Sequence, residues 1–217
     1  MGTERGDRRK EGWALLHKAD KPGFDLAGWS KLARLGSTNA IFGLSEMVNQ
    51  DIKLSGLSLE EVSMRNAVGL IGKADEPMVS IYLLFSGNAS GHIMLAFRPE
   101  TALELVDMAV GLPVGSTQHI GEMEQSVLGE IGNIAGSFFL NAVADDAGMR
   151  LMPSPPAVVM DMAGAIVGSV MAEVWDRTES AFAIRLGFAT GDRQIEGSFI
   201  VLPNMSSMMG FGLAGGV

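Results

Sequence analysis

Residues Gln118–Met149 read QHIGEMEQSVLGEIGNIAGSFFLNAVADDAGM, and this stretch governs how the rest of the chain is read. It predicts one long helix. Gly121 and Glu122 open it, and Gly148 stands at the C′ position that glycine favours. At about 100° per residue two faces separate. Val127, Ile131, Ile134, Ala135, Phe138 and Ala142 point one way, toward a core. Ser126, Glu130, Asn133 and Ser137 point the other way. Helical side chains three apart stand about 5–6 Å from each other at Cβ. Glu130 and Asn133 are therefore close enough to act on one substrate, and they interact too weakly to be there for helix stability. On its own such a polar face is ordinary, since most are simply solvated.

The pattern runs further than the helix. Ser126 is followed after three residues by Glu130, after two more by Asn133 and after twenty-two more by Pro156, with an EIGNI core at Glu130–Ile134. This resembles the CheC/CheX/FliY family of chemotaxis phosphatases, whose signature is Asp or Ser, then Glu, Asn and Pro at those spacings. The run PAVVMDM at Pro156–Met162 also resembles the strand that follows the proline in CheC. The resemblance covers the chain from about Leu26 to its end. It implies an α/β (α+β) fold: two long helices on one side of a mainly antiparallel sheet, with an internal pseudo-twofold repeat.

Composition sets outer bounds. A chain of 217 residues suits one domain, or one domain built of two halves, and 47% apolar residues supply a core. The net charge of −9 argues against a nucleic-acid partner, which needs a basic stripe. With no cysteine there is no disulfide framework and no thiolate ligand or nucleophile. His17, His92 and His119 are too scattered to suggest a zinc site. The N-terminus lacks the apolar segment of a signal peptide. The uncharged run Gly197–Val217 is broken by Pro203, Asn204, Ser206, Ser207 and several glycines, too often for a membrane span. The expectation is a soluble, cytoplasmic protein with no membrane partner.

Residues 1–24 are dense in charge and read as a flexible tail, cut off by Pro22-Gly23. Residues 25–217 read as a single domain of two repeats, 25–112 and 118–217. The first repeat begins with a helix at Asp25–Asn49, with Asp25 as N-cap. Its core-facing set is Leu26, Trp29, Gly36, Ala40, Leu44 and Met47. Strand-like runs follow at Ile52–Leu54, Leu57–Met64 and Val68–Ile71. A hairpin joins Met78–Phe85 to Gly91–Phe97, a helix runs from Pro99 to about Val110, and Gly111–Ser116 is a loop. The second repeat has the same order. After its helix come Met149–Met152, Ala157–Met162 and Ala165–Trp175, then the pair Ser180–Phe188 and Gly197–Leu202 around Thr190–Arg193. The methionine- and glycine-rich Pro203–Gly212 takes the place of the Pro99 helix.

Two anchors align the repeats: Ser90–Phe97 with Glu196–Pro203, and Leu44-Ser45-x-Met47 with Val143-Ala144-x-Asp146. They set Lys31 opposite Glu130 and Arg34 opposite Asn133. CheC and FliY carry the Glu/Asn pair in both halves. Lysine and arginine have the wrong charge and accept no hydrogen bond. The resemblance therefore implies one intact site and a degenerate first one.

It also implies the chemistry. The activity would be hydrolysis of the aspartyl phosphate on a CheY-like response regulator. Glu130 and Asn133 would be catalytic, with Ser126 and Ser137 binding substrate at the rim. Asn133, with both a donor and an acceptor, would hold the attacking water, and Glu130 would pair with the regulator's lysine. Magnesium would sit on the regulator, so this chain would bind no metal or cofactor. Partners would be the CheY-like regulator and, as in CheC, the deamidase CheD. The alternative is a non-catalytic interaction protein like the middle domain of the flagellar switch protein FliM, which has this fold without the signature. Pro156 either fixes the chain entering a strand or touches substrate. The pair Asp145-Asp146 opposes the helix dipole and is a partner contact or nothing.

Overall fold

The computed structural model describes residues 26–63, 66–174, 180–190 and 197–204. The expected tail, the Asp25 cap, the turn around Thr190–Arg193 beyond Thr190 and most of Pro203–Gly212 lie outside the described residues. Helix α1 is Leu26–Val48, followed by strand β1 at Ile52–Ser63 and a 3-10 turn at Ala67–Leu70. Strands β2 (Pro77–Gly87) and β3 (Gly91–Phe97) form the hairpin, and α2 is Pro99–Ala109. The long helix α3 is Glu122–Ala147. After it come β4 (Leu151–Pro153), β5 (Ala157–Met162), α4 (Ala163–Val174), β6 (Ser180–Thr190) and β7 (Gly197–Pro203).

These strands form one sheet in the order β1-β6-β7-β3-β2, with β4 and β5 sharing the far edge of β2. Every pairing among the described strands is antiparallel. The repeat is visible in the register. The sequence alignment sets Met94 against Ile200, and these two residues pair with each other at the centre of β3 and β7. Moving outward, β7 pairs with β6 and β6 with β1, while β3 pairs with β2 and β2 with β5. The helices repeat as well. Leu32, Ala33, Gly36, Ser37, Ala40, Ile41 and Leu44 are buried in α1, and so are their counterparts Ile131, Gly132, Ala135, Gly136, Phe139, Leu140 and Val143 in α3.

Strand residues alternate between two cores. On one face Ile81, Leu83, Ile93, Leu95, Phe199 and Val201 pack beneath α1, α2 and α3. On the other, Met78, Met94, Ala96, Ala183, Ile200 and Leu202 pack against α4 and the 3-10 turn. The two long helices lie on one side, as expected, and further helical segments cover both faces.

Two expected strands are helical. Val68–Ile71 falls in the 3-10 turn, where the Asn66 side chain accepts from the Ser63 N–H at 2.6 Å and from its hydroxyl at 2.9 Å. Ala165–Trp175, over its described residues to Val174, falls in α4, where Ile166, Val167, Val170 and Met171 recur at helical spacing and bury one stripe. The runs Ile52–Leu54 and Leu57–Met64 are one strand over their described residues, with a bulge between Leu54 and Gly56.

The long helices pack closely. A Cβ on Gly36 would stand 2.6 Å from the Phe139 ring, and one on Gly43 would stand 2.8 Å from the Phe138 ring. Helix α3 is the one described helix long and apolar enough to cross a membrane. The sheet and α1 account for that composition, because its apolar residues are packed against them.

Candidate functional site

Helix α3 is positioned from both ends. At its start the Glu124 carboxylate reaches back and accepts the Gly121 N–H at 2.8 Å, half of a capping box, since glycine has no side chain to reciprocate. At its end Gly148 adopts the left-handed conformation, φ 64°, as its position in the sequence predicts. The loop leading into α3 is tied down by Asp107 of α2, a carboxylate with no exposed surface. It accepts the N–H groups of Gly115 at 2.7 Å, Ser116 at 3.0 Å and Thr117 at 3.0 Å, and the Thr117 hydroxyl. Burial alone would raise its pKa. The Thr117 hydroxyl and the three N–H groups outweigh that and hold the carboxyl below its ordinary value of 3.8.

The depth of α3 on the sheet is set by glycine. A Cβ on Gly132 would stand 2.3 Å from Ile81 Cγ2 of β2, so only a bare backbone fits there. Gly132 lies between Glu130 and Asn133, so the closest approach to the sheet fixes the height of both side chains. The buried face is Leu128, Ile131, Gly132, Ala135, Gly136, Phe139 and Val143. It is rotated from the expected one: Val127, Ile134, Phe138 and Ala142 are half-buried, while Ile131 and Ala135 are core. The physical reason is that α3 meets two neighbours, the sheet through its glycine-bearing side and α1 through Ile134 and Phe138. One apolar stripe read for a single core averages the two.

Beside α3 runs the connection between β4 and β5, Ser154-Pro155-Pro156. Ser154 pins it to β2: its N–H donates to the Leu84 carbonyl at 2.8 Å, and its hydroxyl accepts the Leu84 N–H at 3.0 Å. A Cβ on Gly129 would meet Pro156 Cγ at 3.6 Å, an ordinary van der Waals distance. Between helix and connection lies an open groove of about 710 Å³, lined by Glu122, Gln125, Ser126, Gly129, Glu130, Asn133, Pro153, Ser154, Pro155, Pro156 and Val158.

Ser126, Glu130 and Asn133 thus line one groove together with Pro156. Glu130 is exposed and Asn133 half-buried, and neither side chain has a hydrogen-bond or ion-pair partner among the described residues. The Ser126 hydroxyl donates to the Glu122 carbonyl at 2.9 Å, so only its lone pairs face outward. Ser137 is half-buried and does not line the groove. Pro156 immediately precedes β5 and also forms part of the wall. Gln125 and Glu122 were not singled out by the sequence reading; carrying the polar face one turn further back reaches both. The Ser154–Pro156 wall had no such signal, because the fold alone brings it to α3.

Residues 123–160 match the model of the CheC-like family. CheY-P phosphatase CheC of Bacillus subtilis is 25% identical over 181 residues, which covers 82% of this chain and 87% of that one. The chain is thus similar to the CheC-like family across the site and to a CheC along most of its length. Solved structures share its fold. FliY of Thermotoga maritima superposes with a TM-score of 0.69 at 15% identity, over 85% of this chain and 91% of that one. The FliG-FliM complex of H. pylori contains a chain with a TM-score of 0.60 at 12% identity, covering 85% of this chain and 97% of that one. The CheX-CheY-BeF3-Mg complex of Borrelia burgdorferi contains one with a TM-score of 0.56 at 15% identity, covering 79% and 96%.

Proposed function

We propose that this chain is a phosphatase for the aspartyl phosphate of a CheY-like response regulator, acting through Glu130 and Asn133. The observation that carries the reading is the groove. The four signature positions, distant in sequence at one end, line one open surface with two unpartnered polar side chains. Its charge supports the same substrate class. Two carboxylates, Glu122 and Glu130, line the groove, and among the described residues no cation does. A free phosphate would be repelled there. A phosphoryl group presented by a partner with its own lysine and magnesium would not, and the partner's cation would find Glu130. Met123 and Met152, 59% and 68% exposed, follow and precede groove-lining residues and offer apolar contact to such a partner.

Acyl phosphates hydrolyse by in-line attack of water on phosphorus, and catalysis is largely positioning and electrostatics. Asn133 holds the water on the attack line through its amide. As the new bond to phosphorus forms, the bond to the aspartyl oxygen breaks and the carboxylate leaves. Glu130 pairs with the regulator's lysine and fixes the register of the two proteins. The magnesium that supplies charge stabilisation is the regulator's. The CheC relative is a CheY-P phosphatase and the CheX structure is a complex with CheY, which supports a CheY-like partner. The likeness to CheC makes CheD a second partner to test.

The experiment is a phosphate-release time course with phosphorylated regulator, using wild type and Asn133→Ala. Accelerated release that depends on Asn133 supports the reading. Binding without acceleration would favour the second reading, a non-catalytic interaction protein. The FliM-containing complex favours that reading to the extent that its chain has the same fold.

A further inference from the structure

We propose that a second pocket, on the α4 face of the sheet, binds a small oxyanion, a phosphate or carboxylate group, between the Arg185 guanidinium and the hydroxyls of Ser55 and Ser198. The pocket has a volume of about 350 Å³ and lies across the sheet from α3. Separate strands deliver its polar groups: Ser55 from β1, Arg185 from β6 and Ser198 from β7, with Arg98 just past the end of β3.

Local backbone geometry builds it. The β1–β6 register passes from Leu54 opposite Phe188 to Gly56 opposite Gly187, so Ser55 is the extra residue of a bulge. Bulges re-aim side chains. The Ser55 hydroxyl lies over Gly187, 2.6 Å from where a Cβ would stand, and the glycine leaves it room. Ser198 is 9% exposed, and neither its side chain nor that of Arg185 has a side-chain partner among the described residues. The pocket also holds a carboxylate, Glu76. That one is already matched, by Arg98 Nε at 2.8 Å and by the Lys73 N–H at 3.2 Å. Among the described residues Arg185 is left as the uncompensated charge, half-buried, where a counter-ion is favourable.

A guanidinium fork flanked by two hydroxyls matches oxygen atoms of a carboxylate or phosphate. No aromatic ring lines the pocket among the described residues, so nothing there stacks a nucleobase, and the ligand body is small. The α3 groove has the opposite charge character, so the two sites take different ligands.

The test is titration of the whole protein with inorganic phosphate and, separately, with succinate. Arginine side-chain and Gly187 amide resonances report binding, and calorimetry gives affinity. Saturable binding of at least one probe is expected, weakened about tenfold or more in Arg185→Gln, a difference of about 1.4 kcal/mol. Binding unchanged in Asn133→Ala places it apart from the groove. The tighter probe identifies the head group. The proposal is overturned if neither probe saturates, or if Arg185→Gln keeps its circular dichroism and both affinities. Should Arg185→Gln fail to fold, the double variant Ser198→Ala with Arg98→Gln carries the test, and unchanged affinity in it overturns the proposal.

Discussion

The Lys31 ammonium lies 2.8 Å from both carboxylate oxygens of Asp146. In the repeat Lys31 holds the place of Glu130. One half of the fold presents a free carboxylate at a groove, and the other uses the opposite charge to tie the start of α1 to the end of α3. The pairing also neutralises one of the two aspartates that oppose the dipole at the end of α3. Asp146 therefore has an intramolecular role, and Asp145 stays exposed.

Removing this clasp is expected to matter little. The Lys31 side chain is 68% exposed and Asp146 29%, and exposed pairs contribute about 0.2–1 kcal/mol. Arg34 is exposed too. The double variant Lys31→Ala with Arg34→Ala should fold, lose at most about 1 kcal/mol in urea titration and keep wild-type phosphate release. A large loss of turnover in a folded double variant would show that the first half takes part in catalysis.

Asn133→Ala should lower the rate roughly a hundred- to thousandfold, about 2.7–4 kcal/mol, the usual loss for one well-placed polar group in a transition state. Docking of the regulator should persist. Glu130→Ala should weaken binding and rate together, because it removes an intermolecular charge pair. Neither residue is in the core, so both variants should match wild type in thermal stability. Full activity in Asn133→Ala would rule out the water-positioning mechanism.

Gly132→Ala should destabilise by about 1–3 kcal/mol, the range for overpacking. The added methyl would meet Ile81 Cγ2 at 2.3 Å and lift α3 from the sheet. Because Glu130 and Asn133 ride on that helix, activity should fall as well. A double-mutant cycle with Ile81→Ala should show favourable coupling, since the smaller side chain makes room for the methyl. Purely additive losses would mean that α3 does not rest on Ile81.

Asp107 gives a pH dependence of definite sign. Its folded pKa is depressed, so the stabilisation it provides is fully present above its unfolded pKa. That stabilisation is lost as pH falls through the lower folded pKa. Asp107→Asn should therefore be less stable than wild type at neutral pH, with the gap closing below the carboxylate range. Melting temperatures of both proteins from neutral to acidic pH test this. A gap that widens on acidification would contradict the assignment.

Local signals were legible in the sequence. Glycine at 148, the polar pair Glu130 and Asn133 and the alignment of Ser90–Phe97 with Glu196–Pro203 depend on backbone propensity, helical phase and self-similarity, and the structure places Gly148 past the helix end, the pair on an open face and the two aligned segments side by side. The pairing of Met94 with Ile200 is consistent with the repeat, because a twofold axis between two equivalent antiparallel strands sets the residue on the axis opposite its own counterpart. Tertiary structure decided what depends on neighbours. The apolar face of α3 turned because two surfaces share it, and Ala165–Val174 became helical because its apolar residues could cover the second face of the sheet. Which side chains line the groove was decided the same way. Ser137 continues the polar face of α3 yet lies outside, while Ser154 and Pro155 carry no motif and form a wall. Helical phase determines which residues share a face, but where that face meets another segment depends on Gly132 resting on Ile81 and Ser154 bonding to Leu84, contacts that exist only once the chain is folded.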